Sequence, residues 1–219
     1  FNFSEWSKFE QIGLMLVQGM ITGAVGIVFA HELMHQKSSK ERFLADSLMG
    51  MAVYGHFRTE HILVHHRFVG TKRDAVTARF NESFYRFFIR VLPSCFRSAW
   101  RIEVERLVNK QKSPFNIKNP FWTYLMFPVT FLTLAFSIGG MWGITLFLIQ
   151  AFVAILHLEV VNYIEHYGLK RQLQENGKYE QTRSYHSWNS NKEASNLLLI
   201  NLQKHSDHHI KPSKQYPLL

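Results

Sequence analysis

Three stretches of this chain carry no Asp, Glu, Lys or Arg: residues 11–30 (QIGLMLVQGMITGAVGIVFA), 119–138 (NPFWTYLMFPVTFLTLAFSI) and 140–158 (GMWGITLFLIQAFVAILHL). Each has about the 20 residues that an α-helix needs to cross the hydrocarbon core of a bilayer. Core helices of a soluble protein usually keep a polar stripe, so three uncharged spans predict an all-α, membrane-embedded chain. The expected organisation is a single domain over residues 1–219, with spans at about 11–30, 119–138 and 140–158. Residues 31–118 and 159–219 are then the aqueous segments.

Charge gives the expected sidedness. Of the 25 Lys and Arg, one precedes the first span, 16 lie between Gln36 and Lys118, and eight follow Leu158. Connections rich in Lys and Arg stay cytoplasmic, so the first span runs inward, the second outward, Gly139-Gly140 turns outside, and the third returns. The net charge of +9 suits anionic lipid. No segment has the pattern of a nucleic-acid-binding fold. Phe43 to Phe57 is too short to span and predicts a buried or re-entrant helix. Residues 81–108 mix aromatics with Arg86, Arg90, Arg97 and Arg101, which predicts helices in the headgroup plane that Pro93 breaks. Cys95, the single cysteine, reads as a small apolar residue and allows neither a disulfide nor a cysteine metal site. The chain opens on Phe1 without a signal-peptide pattern, so it is expected to be part of a longer protein.

Nine of the 12 histidines fall into four groups: HELMH (His31, His35), EHILVHH (His61, His65, His66), NYIEH (His166) and HSDHH (His205, His208, His209). The expected topology puts all four on the cytoplasmic side. His31 and His35, His61 and His65, and His205 and His209 are four apart, so on an α-helix each pair shares a face and can share a metal. His66 is turned away from His65. Nine imidazoles exceed the four to six positions of one metal and point to two, and neutral imidazole suits Fe, Cu, Zn or Ni. Glu32, Glu60, Glu165 and Asp207 each adjoin a grouped histidine, where a carboxylate can orient the rings and offset the metal charge. His157 lies inside the third span as a buried ring or cavity wall, and His56 and His186 stand outside the metal set. Gly13, Gly19, Gly23 and Gly26 let helices approach the first span closely.

The motifs HELMHQKS, EHILVHHRFVGT, NESFYRFFIR with SAWRIEVERL, NYIEHYGLKRQ, HSWNSN and LQKHSDHH together resemble the integral-membrane alkane 1-monooxygenases, from about His31 to Tyr216. Fatty acyl desaturases share the looser histidine pattern, and xylene-type monooxygenases are nearer relatives. The resemblance implies a polytopic, fatty-acid-desaturase-like bundle of six membrane helices in the bacterial inner (cytoplasmic) membrane. About three of these would precede Phe1. It also implies two non-haem Fe ions held by the nine histidines, and terminal hydroxylation of a medium-chain alkane with O2. The electrons are expected from a separate rubredoxin and its NAD(P)H-dependent reductase, because a fused rubredoxin needs four cysteines. The chain departs from the family at Val64, where glycine is usual, and in GTKRDAVTAR, which lacks two usual prolines near Lys72 and Ala75. A desaturase, which would yield an alkene from an acyl chain, and a histidine-rich metal transporter are the competing classes. The transporter would need ionisable groups inside the spans, and only His157 qualifies.

Overall fold

The computed structural model describes residues 5–212 together with 214 and 215, so Tyr216, where the resemblance ends, lies outside the described residues. Helices account for the ordered elements and, among the described residues, no strand forms; Leu173 and Tyr179 make one isolated bridge. Helix α1, Lys8–Met34, starts where Ser7 accepts from the Glu10 amide and Glu10 reaches back to the Ser7 amide. Such reciprocal capping satisfies two donors that a helix start leaves free. Within α1 the segment Thr22–Gly26 is wound as a π-helix. Helix α2, Ser39–Met51, is capped by Ser38. Helix α3 is composite: Phe57–Thr59, the π-helical Glu60–His65, and His66–Phe68. Helix α4 is Phe84–Val108 and helix α5 is Phe121–Glu165. Two short helices close the chain, α6 at Glu193–Leu198 and α7 at His205–Ile210.

Helix α5 has 45 residues, far more than one crossing needs, and it reverses at Gly140. There φ is 57° and ψ is −145°, a conformation that only glycine adopts without strain. The rings of Phe131 and Phe147 consequently lie 6.2 Å apart, whereas 16 residues of straight helix would separate them by about 24 Å. The second and third uncharged stretches therefore form a hairpin inside one helical element. Its second arm packs alongside α1 in the same direction. Trp142 Nε1 donates to Gln11 Oε1 at 2.6 Å near one end. Further along, a Cβ on Gly19 would sit 2.6 Å from the Gln150 carbonyl oxygen, and one on Gly23 would sit 2.7 Å from the His157 Cβ. Glycine at these two positions is what lets the helices touch.

Only 28% of the apolar windows of α1 and α5 is buried by protein. Val17, Met20, Ile21, Val129, Phe136 and Ile138 all point outward. Helices this long and apolar, with so little of their surface buried among the described residues, are candidate membrane spans. The buried or re-entrant helix expected over Phe43–Phe57 corresponds to α2, Ser39–Met51, whose Ala45 and Met49 are buried with Ile27, Met34 and Leu158 in the main apolar cluster.

Pro93 does not break α4, contrary to the sequence expectation. Phe87, Val91, Cys95 and Ala99 are wholly buried at intervals of four. That stripe anchors the helix on both sides of the proline and outweighs the one backbone hydrogen bond that proline removes.

Candidate metal centre

The four histidine groups meet where the ends of α1 and α5 come against α3 and α7. They do not pair as spacing alone suggests. His31, His35, His61, His66 and His208 form one set and His65, His166, His205 and His209 the other, with the ligating atoms of each set all within 4.8 Å of one another. The expected pairs His31–His35 and His205–His209 hold, but His61 and His65 divide between the sets. The cause is the π-helical winding of Glu60–His65: a wider turn brings residues five apart onto one face. His66 Nε2 accordingly lies 2.9 Å from His61 Nε2. Adjacent His65 and His66 then serve different sets, so α3 joins the two.

The donor chemistry fits a metal in each set. His61 Nε2 lies beside the Nε2 atoms of His31, His35 and His66, the last two at 3.0 and 2.9 Å. One imidazole nitrogen has a single N–H or a single lone pair, so hydrogen bonding cannot satisfy three such neighbours, whereas one cation between them can. His208 Nε2 continues the ring at 3.1 Å from His66 Nε2. In the second set the contacts are His65–His209 at 3.2 Å, His209–His205 at 3.0 Å and His205–His166 at 3.1 Å. Nitrogens at right angles about a metal, with bonds of about 2.1 Å, would be about 3.0 Å apart. Burial favours the neutral form of the first-set rings outside the helix α1 span. It lowers His35 to about 4 and, with the neighbouring imidazoles, holds His61, His66 and His208 well below the ordinary histidine value.

Groups distant in sequence fix the rings from behind. His65 Nδ1 meets Asp74 Oδ2 at 2.9 Å, and Asp74 also accepts from Thr77 Oγ1 at 2.6 Å and from the Val76 amide at 3.0 Å. Burial would raise the Asp74 carboxyl, but His65 and these hydrogen bonds hold it below the usual value. His166 Nδ1 donates to the His186 carbonyl at 3.2 Å. The HSWNSN segment clamps α7: Asn189 Nδ2 donates to Ser206 Oγ at 2.7 Å, and the Ser206 amide donates to Asn189 Oδ1 at 2.9 Å.

The four acids beside the histidines take different places. Glu165 Oε2 lies 3.3 Å from His205 Nε2, within the second set. Glu60 is wholly buried, and that burial pushes its carboxyl well up. Glu32 accepts from Gln36 Nε2 at 2.7 Å, and the half-exposed Asp207 pairs with Lys214 at 2.9 Å. Asp74 was missed by sequence reasoning because it adjoins no histidine. The signal available was a lone acid between Thr71 and Thr77 in GTKRDAVTAR. Buried Glu159, bonded to the Tyr54 hydroxyl at 3.0 Å and to Asn162 at 3.2 Å, was missed because it reads as the end of a span. His157 lies against Gly23 and His56 against Tyr54 and Phe96, both outside the two sets.

A family model described as fatty acid desaturase matches residues 11–219. Among curated proteins, alkane 1-monooxygenase 1 of Pseudomonas aeruginosa is 43% identical over 99% of this chain and 57% of its own length. Alkane 1-monooxygenase of Pseudomonas putida is 38% identical over 97% of the chain and 53% of its own length. The xylene/toluene monooxygenase hydroxylase component of Pseudomonas putida is 27% identical over 94% of the chain. The chain thus spans a little over half the length of the curated relatives it matches.

Proposed function

Because the chain belongs to the fatty acid desaturase family, we propose that its two histidine sets hold two non-haem iron ions and that the whole protein hydroxylates the terminal carbon of medium-chain n-alkanes. The observation that carries this reading is the division of nine histidines into sets of five and four whose nitrogens converge. The likeness to alkane 1-monooxygenases at 38–43% identity supports the substrate class. The overall reaction balances as alkane, O2, two electrons and two protons giving primary alcohol and water. Two irons bound here would supply the O2-activating redox chemistry that histidine and carboxylate side chains lack.

The chain's own residues then have definite tasks. His31, His35, His61, His66 and His208 bind the first iron, and His65, His166, His205 and His209 bind the second. Asp74 and the His186 carbonyl orient His65 and His166 so that Nε2 carries the free lone pair. Of the four adjoining acids, Glu165, 3.3 Å from His205 Nε2, stands nearest a set and would offset metal charge there, while Glu32 and Asp207 are held by Gln36 and Lys214 and Glu60 is buried behind the centre. Phe57, buried and stacked on His61 with centroids 5.2 Å apart, excludes water from the first set.

The centre lies on the cytoplasmic side of the bacterial inner membrane, with α4 along the headgroups. Tyr85, Ile89 and Phe96 on α4 point outward, as an interfacial helix requires. Electrons come from a separate rubredoxin supplied by its NAD(P)H-dependent reductase. Arg171 bonds to the Gly70 and Arg67 carbonyls, which gathers Arg67, Lys72, Arg73, Lys170 and Arg171 beside α3. Such a basic face suits an acidic carrier.

The test uses full-length protein in membranes, given octane, 18O2, rubredoxin, its reductase and NADH. Labelled 1-octanol, absent in His208→Ala, is the expected product. Untouched octane with oxidation of a methylarene would move the substrate to the class of the xylene/toluene relative, and an alkene from an acyl chain would make the protein a desaturase.

A further inference from the structure

A cavity of about 480 Å³ opens beside His35 and is walled by the end of α1, the start of α2, the first turns of α3 and the far end of α4. Four cations line it: Lys37, Arg42, Arg58 and Arg106. Two of them are matched by acids. Arg58 makes a two-pronged pair with buried Asp46 at 2.6 and 3.0 Å, and Arg106 donates to both oxygens of Glu103 at 3.0 and 2.9 Å. The other two make no direct ion pair among the described residues: Arg42 spends one N–H on the Gln36 carbonyl at 3.2 Å and acts on Asp46 only through space, and Lys37 is exposed. Glu103 is the one carboxylate in the lining, so the cavity holds an uncompensated positive charge. Its remaining wall includes Met34, Ile62 and Leu63.

We propose that this cavity binds a phosphate group, either the headgroup of an anionic phospholipid or free phosphate. Depth supports the assignment: the outward apolar surface of α1 runs through Val17, Met20 and Ile21 to Phe29, and the cavity begins just beyond it at Met34, at the level where a membrane-spanning helix meets the headgroups. Cations clustered at that level attract anionic lipid. The N–H groups that Arg42 does not spend on Gln36, together with the Lys37 ammonium, suit an oxyanion. Met34, Ile62 and Leu63 are apolar where a lipid's glycerol and first methylenes would lie. The occupant would sit against the His35 face of the first histidine set and shield it from bulk water. The assignment does not depend on which reaction the centre performs.

The experiment takes the full-length protein, purified in detergent and equilibrated with mixed micelles of phosphatidylglycerol and phosphatidylcholine, with bound lipid counted by native mass spectrometry. Retention of one phosphatidylglycerol in preference to phosphatidylcholine is expected. It should weaken about five-fold in Lys37→Gln and about 25-fold in Lys37→Gln/Arg42→Gln, at about five-fold per cation near the surface. Because Lys37 makes no contact that folding needs, its variant should keep the wild-type metal content and melting temperature. Binding of inorganic phosphate without phosphatidylglycerol, seen by 31P NMR and lost in the same variants, would identify free phosphate as the source. Equal lipid retention by wild type and both variants, with no phosphate binding, would overturn the proposal.

Discussion

Replacing Asp74 by Asn should strip one metal from the protein and leave the other. The carboxylate is fully buried and serves three donors, with Oδ1 on the Val76 amide and Oδ2 shared between Thr77 Oγ1 and His65 Nδ1. An asparagine that keeps its oxygen on the amide turns its NH2 toward both of the others. Thr77 can rotate to accept. His65 cannot keep its proton on Nδ1, and the tautomer it is forced into carries the proton on Nε2, the atom that faces His209 at 3.2 Å. A protonated Nε2 has no lone pair for a metal. The second set therefore falls from four effective donors to three, while the first set, reached only through neighbouring His66, keeps its five. Loss of a carboxylate behind a ligating histidine weakens metal binding about 10–100-fold, or about 1.4–2.7 kcal/mol. That matches the worth of about 1.5–3 kcal/mol for a hydrogen bond to a charged group. Chelator titration of full-length protein, followed by elemental analysis, reads this directly: one of two metals should leave at a 10–100-fold lower chelator concentration than in wild type. Thr77→Val, which removes an Asp74 contact without changing the His65 tautomer, should lower the melting temperature yet keep both metals. If Asp74→Asn retains two metals with wild-type resistance, the orientation argument is wrong.

Four further outcomes follow from the same geometry. His209→Ala should empty the second set and His208→Ala should weaken the first, so metal analysis should find different single-metal species while product formation is lost in both. Gly19→Ala forces a Cβ to 2.6 Å from the Gln150 carbonyl and should destabilise the α1–α5 contact by about 1–3 kcal/mol; Gly13→Ala, with nothing within 4 Å, should leave the melting temperature in detergent unchanged. His35 and His56 are both lowered to about 4 by burial, so below pH 6.5 the unfolded chain binds protons that the metal-free folded chain refuses. Melting temperatures of metal-free protein should therefore fall as pH drops from about 6.5 to about 4, and a flat profile would contradict the buried, neutral state of these rings. Rubredoxin-dependent turnover should decline with added salt if the basic residues around Arg67 and Arg171 guide docking; salt-independent rates would count against that surface.

Much of the architecture was legible because its signals are local. The absence of charge from three stretches announces the long apolar helices, and of the four glycines expected at close contacts, Gly19 and Gly23 sit at one while Gly13 and Gly26 meet no neighbouring helix. Two features depended on longer-range physics. Pro93 is a local breaker, but the buried stripe from Phe87 to Ala99 holds α4 through it. The spacing of His61 and His65 suggests an α-helical pair, but π-helical winding hands His65 to one set and pairs His61 with His66. The nine histidines were recognisable as a group because they cluster in sequence, and the sets of five and four became visible only once α7 and the end of α5 were brought against α3. Asp74 stayed hidden for the converse reason. Nothing beside it in sequence marks it, and only the fold of the loop after α3 brings it behind His65. Asp207, adjacent to His208 in sequence, faces Lys214 instead, so adjacency alone was a poor guide to which acids support the rings.

X-ray absorption at the iron edge, combined with metal quantification on full-length protein purified from membranes, tests the central claim most directly. The account predicts two irons per chain in a shell dominated by nitrogen at about 2.1 Å, with between four and five histidines per iron on average. A single iron per chain, another metal in stoichiometric amount, or a shell dominated by oxygen would contradict it.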